Sequence, residues 1–242
     1  NAVREKVGVF DVSHMGEFII SGPDSFSFLQ KITTNDLRKL RFGQAQYSLM
    51  CNQNGGIIDD LIIYKKQNEY LLVVNASNRE KNLKWLKKHQ NSNVLIKDIS
   101  ESIGLLAIQG PKSRKLLNQL SDIDINRLPF YHFQYGFVNE IDVMISRTGY
   151  TGELGYEIYV KSKNLIELWR SILLKGKEFG ITPVGLGCRD TLRMEMRYHL
   201  YGLDIDENIN PIEAGLSWVT KFGKDDFIGK NKLMNFNKNS KK

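Results

Sequence analysis

Cysteine is nearly absent from this chain, and the two that occur, Cys51 and Cys188, have no partner at metal-site or CxxC spacing. That argues against a disulfide framework and a structural zinc, and it suits a reducing compartment. Long apolar runs are missing too: even residues 71–74, among the richest, are short and bounded by polar side chains, where a membrane-spanning helix needs about 18 or more. No internal repeat is visible. No charged segment followed by an apolar stretch marks a signal peptide, and no module interleaves basic residues with exposed aromatics as a nucleic-acid groove would. The expectation is a protein with no membrane span and no nucleic-acid partner.

What is present is the material of a folded core: 242 residues, 41% of them hydrophobic and 10% aromatic, enough for one large domain or two small ones. The formal charge is +7, from 34 Lys and Arg against 27 Asp and Glu, which points to an anionic partner without choosing among nucleic acid, acidic protein and polyanionic cofactor. Some of that excess reads as solvation. Lys230, Lys232, Lys238, Lys241 and Lys242 lie in an Asn-rich end expected to be a tail, and Lys84, Lys87 and Lys88 read as the wet face of one helix. The opening residues 2–6 read as the middle of a helix, so the chain is expected to lack a segment before Asn1.

Strands and helices mix without regular βαβ alternation, which predicts an α+β fold. A strand at residues 17–20 is followed by a helix start at residues 21–24, with Phe26, Leu29 and Ile32 as its buried stripe and its end at residues 35–36. Strands at 46–51 and 57–64 are joined through residues 52–56, whose glycines are expected to supply positive φ. A strand at 70–74, a helix at 78–89 and a strand at 94–97 complete a first cluster. Beyond it come a buried strand at 105–108, a helix after Gly110-Pro111, a hairpin from 130–138 to 141–147 turning at Asn139-Glu140, a strand at 156–160 and helices at 164–175 and 189–200.

The residues that invite chemistry are few. Residues 149–157 (GYTGELGYE) carry three glycines at intervals of three, yet they sit between two strands, so they are no dinucleotide fingerprint and by themselves read first as a turn where strands cross closely. Within the strand at 156–160, the period of two puts Tyr156, Ile158 and Val160 on one face and Glu157 with Tyr159 on the other. If both faces are covered, Glu157 needs a partner, and a ring edge with two parallel N–H donors would suit it; a solvent-facing glutamate is the plain alternative. Asp59 and Asp60 open an apolar strand, where aspartate is depleted, and adjacent strand residues point to opposite faces, so the two are not expected to act jointly. One is expected to serve the turn and the other a ligand. Arg189 falls in the first turn of a helix, where a cation opposes the dipole; an ion pair with Asp190, Asp204 or Asp206 is the plain alternative to a functional role. His14 reads as a packed, hydrogen-bonded histidine.

Taken together, residues 8–15 (GVFDVSHM), 55–61 (GGIIDDL), 109–111 (QGP), 149–157, 187–195 (GCRDTLRME) and 200–207 (LYGLDIDE), in this order along nearly the whole chain, resemble the T-protein of the glycine cleavage system. Residues 211–216, Trp218 and residues 227–229 extend the match. The resemblance implies a discontinuous folate-binding first domain at 1–20 and 103–205, an inserted ferredoxin-like second domain at 21–102, and at 206–242 the start of a C-terminal β-barrel that is mostly missing, as is an N-terminal segment. It implies an aminomethyltransferase that takes an aminomethyl group from the lipoylated H-protein to tetrahydrofolate, with no metal or nucleotide. The compartment implied is the cytoplasm in a bacterium and the mitochondrial matrix in a eukaryote. By the same resemblance Asp59 lies beside the reacting folate nitrogens, Glu157 holds the pterin, and Arg189, Tyr47 and Asn75 line the cavity, although Cys188 stands where the family commonly has alanine. Two other readings stay open: a folate domain of a sarcosine or dimethylglycine oxidase, and a non-catalytic folate-binding protein. The KGCYxGQE-like signature of the related iron–sulfur assembly proteins is not present.

Overall fold

The computed structural model describes residues 1–239. The expectation for Lys241 and Lys242, and for the Lys238 side chain, lies outside what it describes. Along the chain the first elements are α1 (Ala2–Glu5), β1 (Val7–Asp11), β2 (Gly16–Ser21), α2 (Ser25–Ile32), β3 (Ala45–Cys51), β4 (Ile57–Lys65) and β5 (Glu69–Val74). Next come α3 (Arg79–His89), β6 (Leu95–Asp98), β7 (Ile103–Gln109), α4 (Ser113–Leu120), β8 (Phe133–Val138) and β9 (Ile141–Ser146). The last are β10 (Gly155–Lys161), α5 (Leu165–Gly176), β11 (Ile181–Pro183), α6 (Leu186–Glu195) and α7 (Lys230–Asn239). The fold is α+β with two sheets, and no barrel occurs among the described residues. No helix among them is long and apolar enough to cross a membrane.

The chain divides into two compact units, residues 1–14 with 100–198, and residues 15–99 with 199 onward. In the first unit six strands run in the order β11-β1-β7-β10-β9-β8, with only the β1–β11 pair parallel. Leu116, Leu117 and Leu120 of α4 and Leu168 and Ile172 of α5 pack on Tyr156, Ile158 and Val160 of β10, the face that a period of two assigns to them. Asn139 and Glu140 both have positive φ, 48° and 65°, the two-residue primed turn that matches strand twist in a tight hairpin.

In the second unit five strands run β3-β4-β5-β2-β6, every pair antiparallel. Leu29 and Ile32 of α2 and Leu86 of α3 are buried against Phe18, Ile20, Ile63 and Leu72. Phe26, expected in the buried stripe, is 40% exposed, and Phe28 takes its place. The helix begins only at Ser25, and its inward stripe is Phe28, Leu29 and Ile32. Of the two turn glycines only Gly55 has positive φ; Gly56 is needed for space, since a Cβ there would lie 1.7 Å from the Glu207 carbonyl oxygen.

Three boundaries differ from the sequence reading. The strand at 17–20 is expected, with residues 1–20, in a first domain, but β2 pairs with β5 and β6 and so lies in the second sheet. The helix expected at 189–200 is Leu186–Glu195, ended by Arg197 at φ 57°. Residues after 205, weakly patterned in sequence and expected to start another domain, contribute Ile205, Leu216, Val219, Phe227 and Leu233 to one buried cluster with Leu49, Cys51 and Ile57. Leu233 belongs to α7, so the stretch expected to be a solvated tail begins as a helix with an anchored face.

Candidate active site in two carboxylate clusters

The first cluster belongs to the second unit and is built on β4. Cys51 pairs with Ile57 and Met50 with Asp59, leaving Ile58 as an extra residue in a bulge. Bulges sharpen twist and re-aim side chains, and here Asp59 and Asp60 come directly after it. Asp59 is fully buried. Its Oδ1 accepts from Asn75 Nδ2 at 2.9 Å and Asn78 Nδ2 at 2.7 Å, and its Oδ2 accepts from Asn75 N at 3.2 Å and from Asn82 Nδ2. Burial, and then the neighbouring Asp60 charge, push the Asp59 carboxyl up to about 7, against the pull of the three asparagine amides.

Asp60 is only partly buried. Its Oδ2 accepts from the Tyr47 hydroxyl at 3.1 Å and its Oδ1 from Asn75 Nδ2 at 2.7 Å. Burial raises its proton affinity too, and the His199 charge is among the groups opposing this. Tyr47 in turn stacks on Trp218, centroids 5.8 Å apart and planes 18° from parallel.

The spacing leaves open which aspartate serves a ligand, and the resemblance implies Asp59; in the structure Asp59 is the carboxylate enclosed by four donors, and Asp60 keeps partial exposure. The strand period predicts that the two do not act jointly, yet Asn75 Nδ2 donates to both carboxylates. Asn75 and Tyr47, expected to line a ligand cavity, both spend hydrogen-bond donors on these carboxylates.

The second cluster belongs to the first unit and is organised by the glycine-rich turn between β9 and β10. Gly149 and Gly155 leave room for the buried Gln109 side chain, since a Cβ at either would come within 2.2 Å of it. Gln109 Nε2 donates to the Thr148 carbonyl at 3.2 Å and the Tyr156 carbonyl at 3.3 Å, and Thr151 Oγ1 donates to Gln109 Oε1 at 2.9 Å. Arg4 adds bonds to the Thr151 carbonyl and, at 3.1 Å, to Glu153. The turn is thus a cast around one amide. It delivers the Thr148 hydroxyl to Glu157 Oε2.

Glu157 sits on the β10 face away from the unit's core, as the strand period predicts, and is partly exposed. Burial raises its proton affinity; Thr148 and the Arg189 charge oppose that. The Arg189 guanidinium lies 4.6 Å from the Tyr150 ring centroid, and Tyr150 stacks on Tyr198 at 5.8 Å. Burial lowers the Arg189 proton affinity, with Glu157 the first opposing charge. Asp190 pairs with Arg193 at 2.7 Å instead. His14, expected to be packed, is exposed.

Chemically, the first cluster can exchange a proton near neutral pH, and the second offers a carboxylate and a stacked cation to a planar, N–H-bearing ring. No group of three His, Cys, Asp or Glu among the described residues is placed to share a metal ion. Gln109, Thr148, Asn78, Asn82 and Trp218 are not singled out as site residues by the sequence. Only the asparagines leave a trace there, at the helical spacing 75, 78 and 82.

The fold and these clusters define a member of a known class: residues 1–224 match the GCVT N-terminal domain, and the chain belongs to that family. It is similar to a curated aminomethyltransferase of Halothermothrix orenii, 49% identical over 236 residues that cover 97% of this chain and 66% of that protein. With one from Flavobacterium psychrophilum it is 52% identical over 225 residues, covering 92% and 62%. The chain therefore spans just under two thirds of the length of these relatives. Among solved structures, the glycine cleavage system aminomethyltransferase T from Bartonella henselae superposes with a TM-score of 0.85 at 32% identity, covering 98% of this chain and 64% of that one. A heterotetrameric sarcosine oxidase from Corynebacterium sp. U-96 shares the fold alone, with TM-score 0.56 and 16% identity over 74% of this chain and 87% of that one.

Proposed function

We propose that this chain is the greater part of a tetrahydrofolate-dependent aminomethyltransferase of glycine cleavage, which takes the aminomethyl group from a lipoylated H-protein, releases ammonia and yields 5,10-methylenetetrahydrofolate and the dihydrolipoyl carrier. About 50% identity to aminomethyltransferases, against 16% to the sarcosine oxidase, favours this reading over an oxidase-associated folate domain. The bacterial relatives favour a cytoplasmic setting. The observation that carries the catalytic reading is the paired carboxylates of β4, with Asp60 partly exposed beside Tyr47. A carboxyl whose proton affinity is raised by burial, as that of Asp60 is, can take the proton of a weakly basic folate nitrogen and steady a developing iminium. We assign that proton exchange to Asp60 and, within the other unit, recognition of an N–H-bearing ring edge to Glu157, with Arg189 and Tyr150 beside it. Neither role calls for a metal ion or a nucleotide.

The test is a pair of substitutions in the full-length protein. Asp60→Asn is expected to cut aminomethyl transfer by about 100- to 10,000-fold while tetrahydrofolate still binds. Glu157→Gln is expected to weaken tetrahydrofolate binding in a calorimetric titration by about 1.5–3 kcal/mol. Full turnover in Asp60→Asn would end the catalytic assignment, and unchanged affinity in Glu157→Gln would remove that residue from the site.

A further inference from the structure

Three asparagines converge on one buried carboxylate. Asn75 lies just after β5, Asn78 just before α3 and Asn82 one turn into it, and the side-chain amides of all three donate to Asp59. Asparagine is a poor helix former, and Asn82 is fully buried, so packing alone gives no reason for it there. All four hydrogen bonds to Asp59 come from N–H groups. A carboxylate so surrounded is matched in its ionised form, because four N–H donors face it.

Asp60 is served differently. It accepts from the Tyr47 hydroxyl and Asn75 Nδ2, and a fixed negative charge stands next to it. Two adjacent carboxylates, one fully buried and one partly so, cannot both ionise cheaply, so the one with fewer donors keeps the shared proton. The Asn75 amide has two hydrogens, and one goes to each carboxylate, at 2.9 Å and 2.7 Å. That commits its donors and makes it a strut between the pair.

We propose that Asp59 is a positioning residue: caged by the N–H donors of Asn75, Asn78 and Asn82, which favour its ionised form, it fixes the carboxyl of Asp60, through the Asn75 amide, as the group that exchanges a proton with substrate. The last clause rests on the function proposed above; the cage and its division of charge do not. The other ionisable groups around the pair are Tyr47 of β3, His199 and Tyr201 of the segment after α6, and Lys81 of α3, which donates to the Tyr201 hydroxyl at 2.7 Å. His199 opposes the raised proton affinity of Asp60, so its own titration is followed in parallel.

The experiment is a carbon-13 NMR titration of the aspartate carboxyls in the whole chain without folate, assigned with Asp59→Asn and Asp60→Asn. The Asp60 carbon is expected to titrate well above the ordinary carboxylate range while Asp59 stays ionised to lower pH. In Asp59→Asn the Asp60 midpoint is expected to fall by about one pH unit or more as the like charge is lost. Asn75→Ala keeps both carboxylates and cuts the strut, and it is expected to raise the Asp60 midpoint; it serves also if Asp59→Asn does not fold. An Asp59 carbon that titrates above Asp60, or an Asp60 midpoint indifferent to Asp59→Asn and Asn75→Ala, overturns the proposal. Titrations as expected alongside absent tetrahydrofolate binding would sink the functional reading and leave the cage standing.

Discussion

Lys224 offers a quantitative test of how the Trp218 segment is held. Its side chain is 3% exposed, and its Nζ donates to the carbonyls of Thr33 and Asn35, the latter at 2.9 Å. Those carbonyls come just after α2, where a cation complements the helix dipole. The stretch they belong to is bound to the Lys224 segment twice more, by Thr34 Oγ1 to the Val219 carbonyl at 3.0 Å and Lys221 N to the Thr34 carbonyl at 3.0 Å. Trp218, which stacks on Tyr47, rides on that segment.

Burial depresses the Lys224 amine to about 7, against the attraction of Asp36 and Asp225. In the unfolded chain the same amine titrates near 10.4. Between these values the unfolded state holds a proton that the folded state has lost, so the contribution of Lys224 to stability rises with pH through this window. The slope approaches about 1.4 kcal/mol per pH unit, which integrates to roughly 2 kcal/mol between pH 7 and pH 9 once partial titration at the lower end is included. Tyrosines and other lysines titrate nearby, so the measurement is a difference: urea denaturation of the native chain and of Lys224→Met at several pH values. The native protein is expected to gain about 2 kcal/mol on the variant across that range. Parallel stability curves would refute the argument and mean the amine stays charged in its pocket.

The Asp59–Asp60 pair bears the opposite sign: its raised proton affinity lets the folded state keep a proton that the unfolded state releases, so its stabilising share is complete below about pH 4 and lost as pH rises towards 7, a trend that the Asp59→Asn/Asp60→Asn double variant should lack in the same denaturation series. Gly56→Ala should cost about 2 kcal/mol or more, because its Cβ meets the Glu207 backbone rather than a movable side chain, and a thermal melt indistinguishable from the native one would show that the turn yields. The exposed Lys84, Lys87 and Lys88 and the +7 net charge should make association with an acidic carrier protein slow as salt shortens the Debye length from about 10 Å to about 3 Å; a rate indifferent to salt would reduce those lysines to solvation.

Much of this architecture is legible because local pattern and tertiary environment agree. The β10 alternation, the leucines of α4 and the Asn139-Glu140 turn each carry their structure in a few adjacent residues, and Glu157 is found on the face its period assigns. Legibility falls where the tertiary fold decides. Nothing in β1 or in the three-residue β11 announces a strand by itself, and Pro183 argues against one except at the sheet edge where it lies. The segment after residue 205 has no period because it is mostly irregular, so its buried Leu216, Val219 and Phe227 could not be told from loop residues.

The aspartates of β4 show where such reading stops, and why. Two acidic residues in an apolar strand are visible as an anomaly, since strands deplete aspartate and burial penalises its charge. A strict period of two then sends them to opposite faces and makes one a bystander. That inference fails because it treats the strand as regular and isolated. A bulge at Ile58 precedes both aspartates, and the segment after β5 places one amide against both carboxylates. The usable signal is in the partner: asparagines recur at 75, 78 and 82 leading into α3, whose exposed face is lysine-rich. Polar side chains turned inward must meet a buried polar group, and Asp59 is the group they meet.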